Sequence, residues 1–486
     1  MFDRAGRISV LLTLWACAGT KDDDRQVSES DTDTDTDTDT DTDADTDTDV
    51  THPDIDVDGT FDVGDLAERR ILGIDGELNG GGEAADIGDV NGDGADDLLL
   101  GWPYPDGIAW LFLGPLPMGD ISVVDADATF LPEGTIDYLG RRVTGIRDVS
   151  GDGLPDMAMA ATRAGPGVAF DGTVYILTGN HLGTVSAAVA EARIDGCPSC
   201  NLGWHGLLAA DLTGDGTDDL FMSTMSYPAI GLIAQGPFAG PQAAESAIHI
   251  ADPTGEHGGD HAYATADFDG DGQADLAAST WSVKANNTTS LGAYLYYGPI
   301  LNDLNVDDGD AALYGEHGTP SELTASDFDG DGNIDLVGVT YDPTYNSAYR
   351  VWVAAGSFAG QTDLTTGAAA TVDGEFEYAR LGQRLESADL DHDGNADLVM
   401  SSNPAGLLAM GGQAYIFYGP ISGAYSASDA DTIFASEGDY HRVGSGINMV
   451  GDLDDDGIDD LLIGASGDNG AAPEAGASYL IPGWIW

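Results

Sequence analysis

The sequence predicts an all-β fold: a seven-bladed β-propeller with four antiparallel strands per blade, closed by an N-terminal strand and preceded by a disordered acidic linker. Three observations carry this. An Asp-rich loop recurs seven times, its copies are almost evenly spaced, and each interval holds four short strand-like runs.

The clearest loop reads Asp327-Phe328-Asp329-Gly330-Asp331-Gly332-Asn333-Ile334-Asp335. Oxygens at positions 1, 3, 5 and 9 can converge on one hard cation when Gly at position 6 lets the backbone turn sharply, with a carbonyl at 7 and water completing the shell. The candidate ligands are Asp89, Asn91, Asp93 and Asp97 in the first copy, and Asp148, Ser150, Asp152 and Asp156 in the second. They continue with Asp211, Thr213, Asp215 and Asp219, then Asp267, Asp269, Asp271 and Asp275, then Asp327, Asp329, Asp331 and Asp335. The last two sets are Asp389, Asp391, Asp393 and Asp397, and Asp452, Asp454, Asp456 and Asp460. An all-oxygen set of this kind suits Ca2+, up to seven ions in all.

An EF-hand opens with the same spacing but needs a bidentate Glu at position 12 and a helix on each side. Position 12 here is Leu100, Met159, Met222, Ala278, Gly338, Met400 or Ile463, none of which can chelate. Each loop runs instead into a short apolar stretch such as Asp97-Leu98-Leu99-Leu100-Gly101, too short for a helix and suited to a buried strand.

The first loop residues lie 59, 63, 56, 60, 62 and 63 residues apart. Within a unit, a strand of small and apolar residues enters the loop (Ala325-Ser326) and the apolar strand leaves it. A third strand ends in Gly-Pro, as in Tyr294-Leu295-Tyr296-Tyr297-Gly298-Pro299, and a more polar fourth follows, as in Thr432-Ile433-Phe434. Six fourth strands are expected, at 128–131, 192–195, 248–251, 311–314, 370–373 and 432–435. The seventh unit has none after Gly483, whereas Arg70-Ile71-Leu72-Gly73-Ile74-Asp75 precedes the first loop without a blade of its own. Pairing that segment with the last blade would close the ring and remove two sheet edges.

Eighty-five Asp plus Glu against 16 Lys plus Arg give a formal charge of −69 over 486 residues, which excludes nucleic acid and anionic lipid surfaces as partners and favours cations. Residues 31–49 are almost pure Asp-Thr alternation, self-repelling and without an apolar face, so 18–69 is expected to be a disordered, extended linker. Ahead of it, Arg4 and Arg7, a short apolar run and Leu14-Trp15-Ala16-Cys17 resemble a bacterial lipoprotein signal with its lipobox, which makes 1–17 the signal and Cys17 the lipidation site. That resemblance implies an exported protein, lipid-anchored to the bacterial outer membrane and exposed at the surface, with no other contact with the membrane. Cys197 and Cys200 are expected to form a small loop-stiffening disulfide, the alternatives being a zinc or redox pair for which the surrounding sequence gives no support.

With both its calcium loop and its Gly-Pro segment, the stretch 70–486 resembles the FG-GAP repeats that build the seven-bladed head of integrin α subunits. The resemblance implies that calcium is structural, fixing the first hairpin of each blade on the face away from ligand. Ligand would then meet the opposite face, where Trp102, Tyr104, Tyr227, Trp281, Tyr341 and Tyr345 fall on loops between the second and third strands, and Trp204 and Tyr440 on turns between blades. The same aromatics would serve equally as plugs between blades. Arg142, His205, His261 and Gln383 share a slot six residues before their calcium loops and are expected near the axial channel, while His257 and His317 share an aromatic slot with Tyr138. No His-Glu-x-x-His or Gly-x-Ser-x-Gly motif is present, so the expected protein is not an enzyme. It is expected to be a monomeric binding or adhesion module for an extracellular protein or glycan, the alternatives being a purely structural surface protein or a propeller-based hydrolase or lyase.

Overall fold

The computed structural model describes residues 59–485, apart from 75–82, 166–169, 180, 226–228, 253–261, 286–287, 316–321, 343–347, 376–379, 403–410, 437–440 and 468–475. Seven sheets are arranged as the blades of a propeller. Blade one is built from Glu83–Asp86, Leu98–Trp102, Ile108–Phe112 and Ala128–Leu131, paired antiparallel in chain order. The next six blades begin at Leu139–Ile146, Leu207–Ala210, Tyr263–Ala266, Leu323–Ser326, Leu381–Ala388 and Val443–Met449. The six fourth strands stand where the sequence puts them, at Ala128–Leu131, Ala192–Asp195, Ile248–Ala251, Ala311–Gly315, Ala370–Asp373 and Thr432–Ala435.

Each blade has the expected four antiparallel strands, and its sheet gains a fifth that the sequence does not announce. The fifth is parallel and is lent by the following blade: Gly183–Ser186, between the third and fourth strands of blade two, pairs with Ala128–Leu131 of blade one. Such a segment is only four residues long and carries no apolar alternation, so nothing in the sequence marks it as a strand.

The ring closes through the N-terminal segment. Arg69–Leu72 pairs antiparallel with the third strand of blade seven, Arg69 opposite Leu480 and Leu72 opposite Ala477, and so supplies the missing fourth strand. Gly59–Asp62 pairs in parallel with Thr432–Ala435 and is the fifth strand of blade six. Residues 59–69, expected in the linker, therefore belong to the propeller. Between the two strands, Val63–Leu66 makes one helical turn whose N-cap, Asp62, accepts from the Gly64 N–H at 3.0 Å. Val63 and Ile71 are each 1 % exposed, so this segment is held by burial as well as by pairing.

The core is divided into seven apolar clusters, one between each pair of neighbouring blades. The runs after the calcium loops show why they read as continuous rather than alternating. Leu99 packs toward blade two, and Leu98 and Leu100 pack toward blade seven, so both faces of the strand are covered.

Candidate metal centres and the opposite face

In each blade the loop between the first and second strands folds around its own first carboxylate. Asp89 Oδ1 accepts from the main-chain N–H groups of Gly92 (2.6 Å) and Asp93 (3.0 Å), and Oδ2 from Gly94 (2.9 Å). Asp267 and Asp327 repeat the pattern. The position-6 glycines all take left-handed φ between 87° and 103°, which explains their presence in every copy. Where position 4 is not Gly, His392 and Asp455 adopt φ of 57° and 63°.

The ninth-position carboxylates, Asp97, Asp156, Asp219, Asp275, Asp335, Asp397 and Asp460, are all fully buried. Six of the seven, all but Asp156, are joints as well as candidate ligands. Asp97 Oδ2 accepts from Val90 N (2.9 Å) within the loop and Oδ1 from Gly114 N (2.9 Å) at the end of the third strand. Gly236, Gly298, Gly356, Gly419 and Gly483 make the second bond in blades three to seven. Burial pushes these acids up, Asp275, Asp335 and Asp397 to about 6, Asp97 to about 7 and Asp460 to about 8, with neighbouring loop carboxylates adding to the rise.

Four loops gather three carboxylates with ligand oxygens within 4.8 Å of one another: Asp267, Asp269 and Asp271; Asp327, Asp329 and Asp335; Asp389, Asp391 and Asp397; and Asp452, Asp454 and Asp456. Two buried oxygens, Asp156 Oδ1 and Asp454 Oδ1, have no hydrogen-bond partner among the described residues. Converging carboxylates with an orphaned buried oxygen fit a hard divalent cation and are otherwise self-repelling. Among the described residues the loops of blades one to three, with Asn91, Ser150 and Thr213 in third place, form no comparable three-carboxylate group. In blade seven the closing strand reaches the loop: Arg69 Nη1 lies 3.1 Å from Asp454 Oδ2, while its Nε donates to the Leu116 carbonyl at 2.9 Å.

On the opposite face, three of the eight expected aromatics come together around a fourth ring. Trp102 and Tyr104 meet edge to face at 5.8 Å, Tyr104 meets Tyr138 at 5.0 Å, and Tyr138 lies 6.4 Å from Trp204. Tyr104 is 41 % exposed. Trp281 and Tyr341 lie on the long strands Asp275–Ala285 and Asp335–Asp342, with side chains outside the described residues, as are Tyr227, Tyr345, Tyr440, His257, His261 and His317 altogether. Sequence reasoning missed the cations of this cluster: Arg141 sits 4.5 Å over the Trp204 ring and Arg163 4.1 Å over Tyr138. Their only sequence signal was being basic in so acidic a chain.

At the channel mouth Arg142 and His205 line a cavity as expected, but Arg384 lines it where Gln383 was anticipated. Arg142 pairs with Glu83, and Arg384 pairs with Glu322 at 2.6 Å. Glu386, deep among them, is pushed up to about 8 by burial and by Glu322.

The expected disulfide is absent. Cys197 and Cys200 are free thiols, and Cys200, fully buried, donates its S–H to the Asp171 carbonyl at 3.2 Å while its sulfur accepts the Cys197 N–H. The tight turn that brings the two residues together, Cys200 N to Cys197 O at 3.0 Å, is thus closed by hydrogen bonds.

Seven sheets laced edge to edge, each with an acidic loop at its first hairpin, define an acidic-loop β-propeller. Residues 148–222, from the second loop to the strand after the third, match the model of the FG-GAP-like repeat. The chain is 34% identical over 156 residues to the phosphatidylinositol-glycan-specific phospholipase D of Rattus norvegicus, covering 29% of this chain and 18% of that protein. It is 26% identical over 364 residues to the enzyme of the same name from Homo sapiens, covering 66% and 43%. Integrin alpha-5 of Xenopus laevis is 30% identical over 116 residues, covering 23% and 11%. The chain thus spans less than half the length of these curated relatives. With the seven-bladed architecture, these matches show a β-propeller similar to those built from FG-GAP repeats.

Proposed function

We propose that this protein is a calcium-binding β-propeller, lipid-anchored through Cys17 at the outer face of a bacterial outer membrane, that acts as a binding or adhesion module for an extracellular protein or glycan. One observation carries the reading: partly exposed rings of Tyr104, Tyr138 and Trp204 cluster on the face away from the acidic loops, and rigid aromatics of this kind anchor recognition surfaces. The similarity to an integrin α subunit supports a binding role. Calcium serves the scaffold in this reading, since each cation offsets repulsion within a loop and fixes a hairpin.

The test is an array of glycans and extracellular proteins probed with the full chain in about 1 mM Ca2+, within the range at which extracellular calcium modules bind. Trp204→Ala is expected to weaken the captured ligand by about tenfold or more, the ordinary cost of removing an aromatic anchor. An array on which nothing binds would leave a purely structural surface protein. Release of product from a glycosylphosphatidylinositol substrate by the purified chain would make it a hydrolase and overturn the reading.

Anchoring is tested separately. Cys17→Ala is expected to move the protein from the membrane pellet to the soluble fraction without altering its melting temperature, because the acyl chains would be attached to that residue. A variant that still sediments with membranes would require another anchor.

A further inference from the structure

Arginine in this molecule is scarce and usually paired. The chain has 16 Lys plus Arg against 85 Asp plus Glu, and Arg69, Arg70, Arg147, Arg193, Arg350 and Arg384 each contact a carboxylate. Arg141 and Arg163 do not. The Arg163 guanidinium lies 4.1 Å from the Tyr138 ring centre and 4.9 Å from that of Phe170, and its buried Nε has no partner among the described residues. Arg141 lies 4.5 Å over Trp204 and donates to the Tyr104 hydroxyl at 3.3 Å and the Trp204 carbonyl at 3.4 Å. Neither forms an ion pair among the described residues, although the chain is crowded with acids. Stacking on a ring is a weak interaction at an exposed site and supplies no anionic acceptor for the guanidinium N–H groups.

Next to Arg141, on the other side of Tyr104, lies a shallow, mainly apolar cavity between blade one and the turn that follows it, walled by Trp102, Tyr104, Pro105, Ile108, Leu131 and Pro132, with Asp106 the one carboxylate in its lining. A flat apolar wall close to two guanidinium groups held by ring faces complements one kind of molecule: a pyranose whose apolar face stacks on an aromatic ring and whose substituent is a carboxylate. We propose that this edge of the face, shared by blades one to three, binds an acidic polysaccharide through its uronic acid units. Arg163 and Arg141 receive the carboxylate, and the Trp102 and Tyr104 wall takes the sugar ring. An acidic peptide offers the charge without the stacking face, and a neutral glycan the face without the charge. The net charge of −69 repels any polyanion at long range, so the expected affinity is modest, of order 10⁻⁴ M, and comes from contact.

This inference rests on the reading of the protein as a binding module and gives its ligand a chemistry. The experiment is calorimetry on the full chain in about 1 mM Ca2+, with a galacturonic acid trimer, its methyl ester, a neutral glucose trimer and a glutamate hexapeptide as probes. The uronate trimer should bind at least about tenfold more tightly than the ester or the neutral sugar. Arg163→Gln and Arg141→Gln should each cost about tenfold in uronate affinity, whereas Arg350→Gln, in blade five, should cost nothing. If Arg163→Gln does not fold, Arg163→Lys keeps the charge, loses the planar pair of donors, and should still weaken binding. Equal affinity for acid and ester, or uronate binding indifferent to Arg163, as calcium bridging through the acidic loops would give, overturns the proposal. Tighter binding of the glutamate peptide replaces the polysaccharide with an acidic protein. A neutral glycan or a protein captured on the array without any uronate affinity would sink this inference and leave the binding module standing, whereas no ligand of any class would sink both.

Discussion

Chelation of calcium by EGTA lowers the thermal midpoint of the head by about ten degrees or more. A site at ten times its dissociation constant contributes about 1.4 kcal/mol to folding, and at a hundred times about 2.7 kcal/mol. Occupation of only the four loops that gather three carboxylates would then contribute about 6–11 kcal/mol, against an unfolding entropy of about 2 cal/mol/K for each residue of the head. Acidity carries the signature of the same sites. In EGTA burial holds the ninth-position acids above the ordinary carboxylate range, Asp275, Asp335 and Asp397 at about 6, Asp97 at about 7 and Asp460 at about 8, with Asp156 and Asp219 raised in the same direction. A raised value means that the fold prefers the proton, so this contribution is fully present below about 4 and is lost as pH rises through 6 to 8. The calcium-free head should therefore melt higher at pH 5 than at pH 8. Calcium, which favours the ionised carboxylates, should shrink or reverse that difference. Differential scanning calorimetry in both states is the measurement, and an unchanged melt in excess EGTA would refute structural calcium.

Deleting residues 59–74 should prevent the head from folding at 37 °C, or lower its midpoint by more than about fifteen degrees, whereas deleting 18–58 should shift it by no more than about two. The first deletion removes the fourth strand of blade seven, the fifth strand of blade six and the neighbour on which Gly119–Ser122 pairs. It strips out Val63 and Ile71, each worth about 1.5–3 kcal/mol in burial, and the Arg69 contacts to Asp454 and Leu116. In a ring, opening one junction exposes edges on both sides of the gap and returns the closure entropy to the unfolded chain. Thermal melts of the two variants decide the matter, and equal stabilities would show that closure is not what holds the head together.

Much of this architecture is local and therefore legible. A calcium loop is a nine-residue pattern whose oxygens and left-handed glycines are all set within one hairpin, so position 6 could be read as Gly94 or Gly332 before any coordinates. Strand count worked for the same reason: six fourth strands and one orphan, Arg70-Ile71-Leu72, left a single way to close the ring. The lent fifth strands were not legible, because Gly183–Ser186 is a strand only by virtue of a neighbour from the previous blade. The free thiols of Cys197 and Cys200 depended likewise on the Asp171 carbonyl, twenty-nine residues upstream of Cys200.

The repeat, its spacing and its acid-rich loops are properties of short stretches of chain, and period and composition were enough to determine the number of blades, the acidic character of the first hairpins and the direction of closure. Tertiary structure alone decided that residues 59–69 join the propeller, which loops draw three carboxylates within 4.8 Å, and that Arg141 and Arg163 rest on Trp204 and Tyr138 rather than on any acid among the described residues. Edge pairing and ring stacking act between residues brought together by the sheets, Arg69 and Asp454 being 385 positions apart, and pairs so distant in sequence leave no periodic trace in it. Convergence within a loop is local, but it turns on side-chain geometry that the residue types alone do not fix.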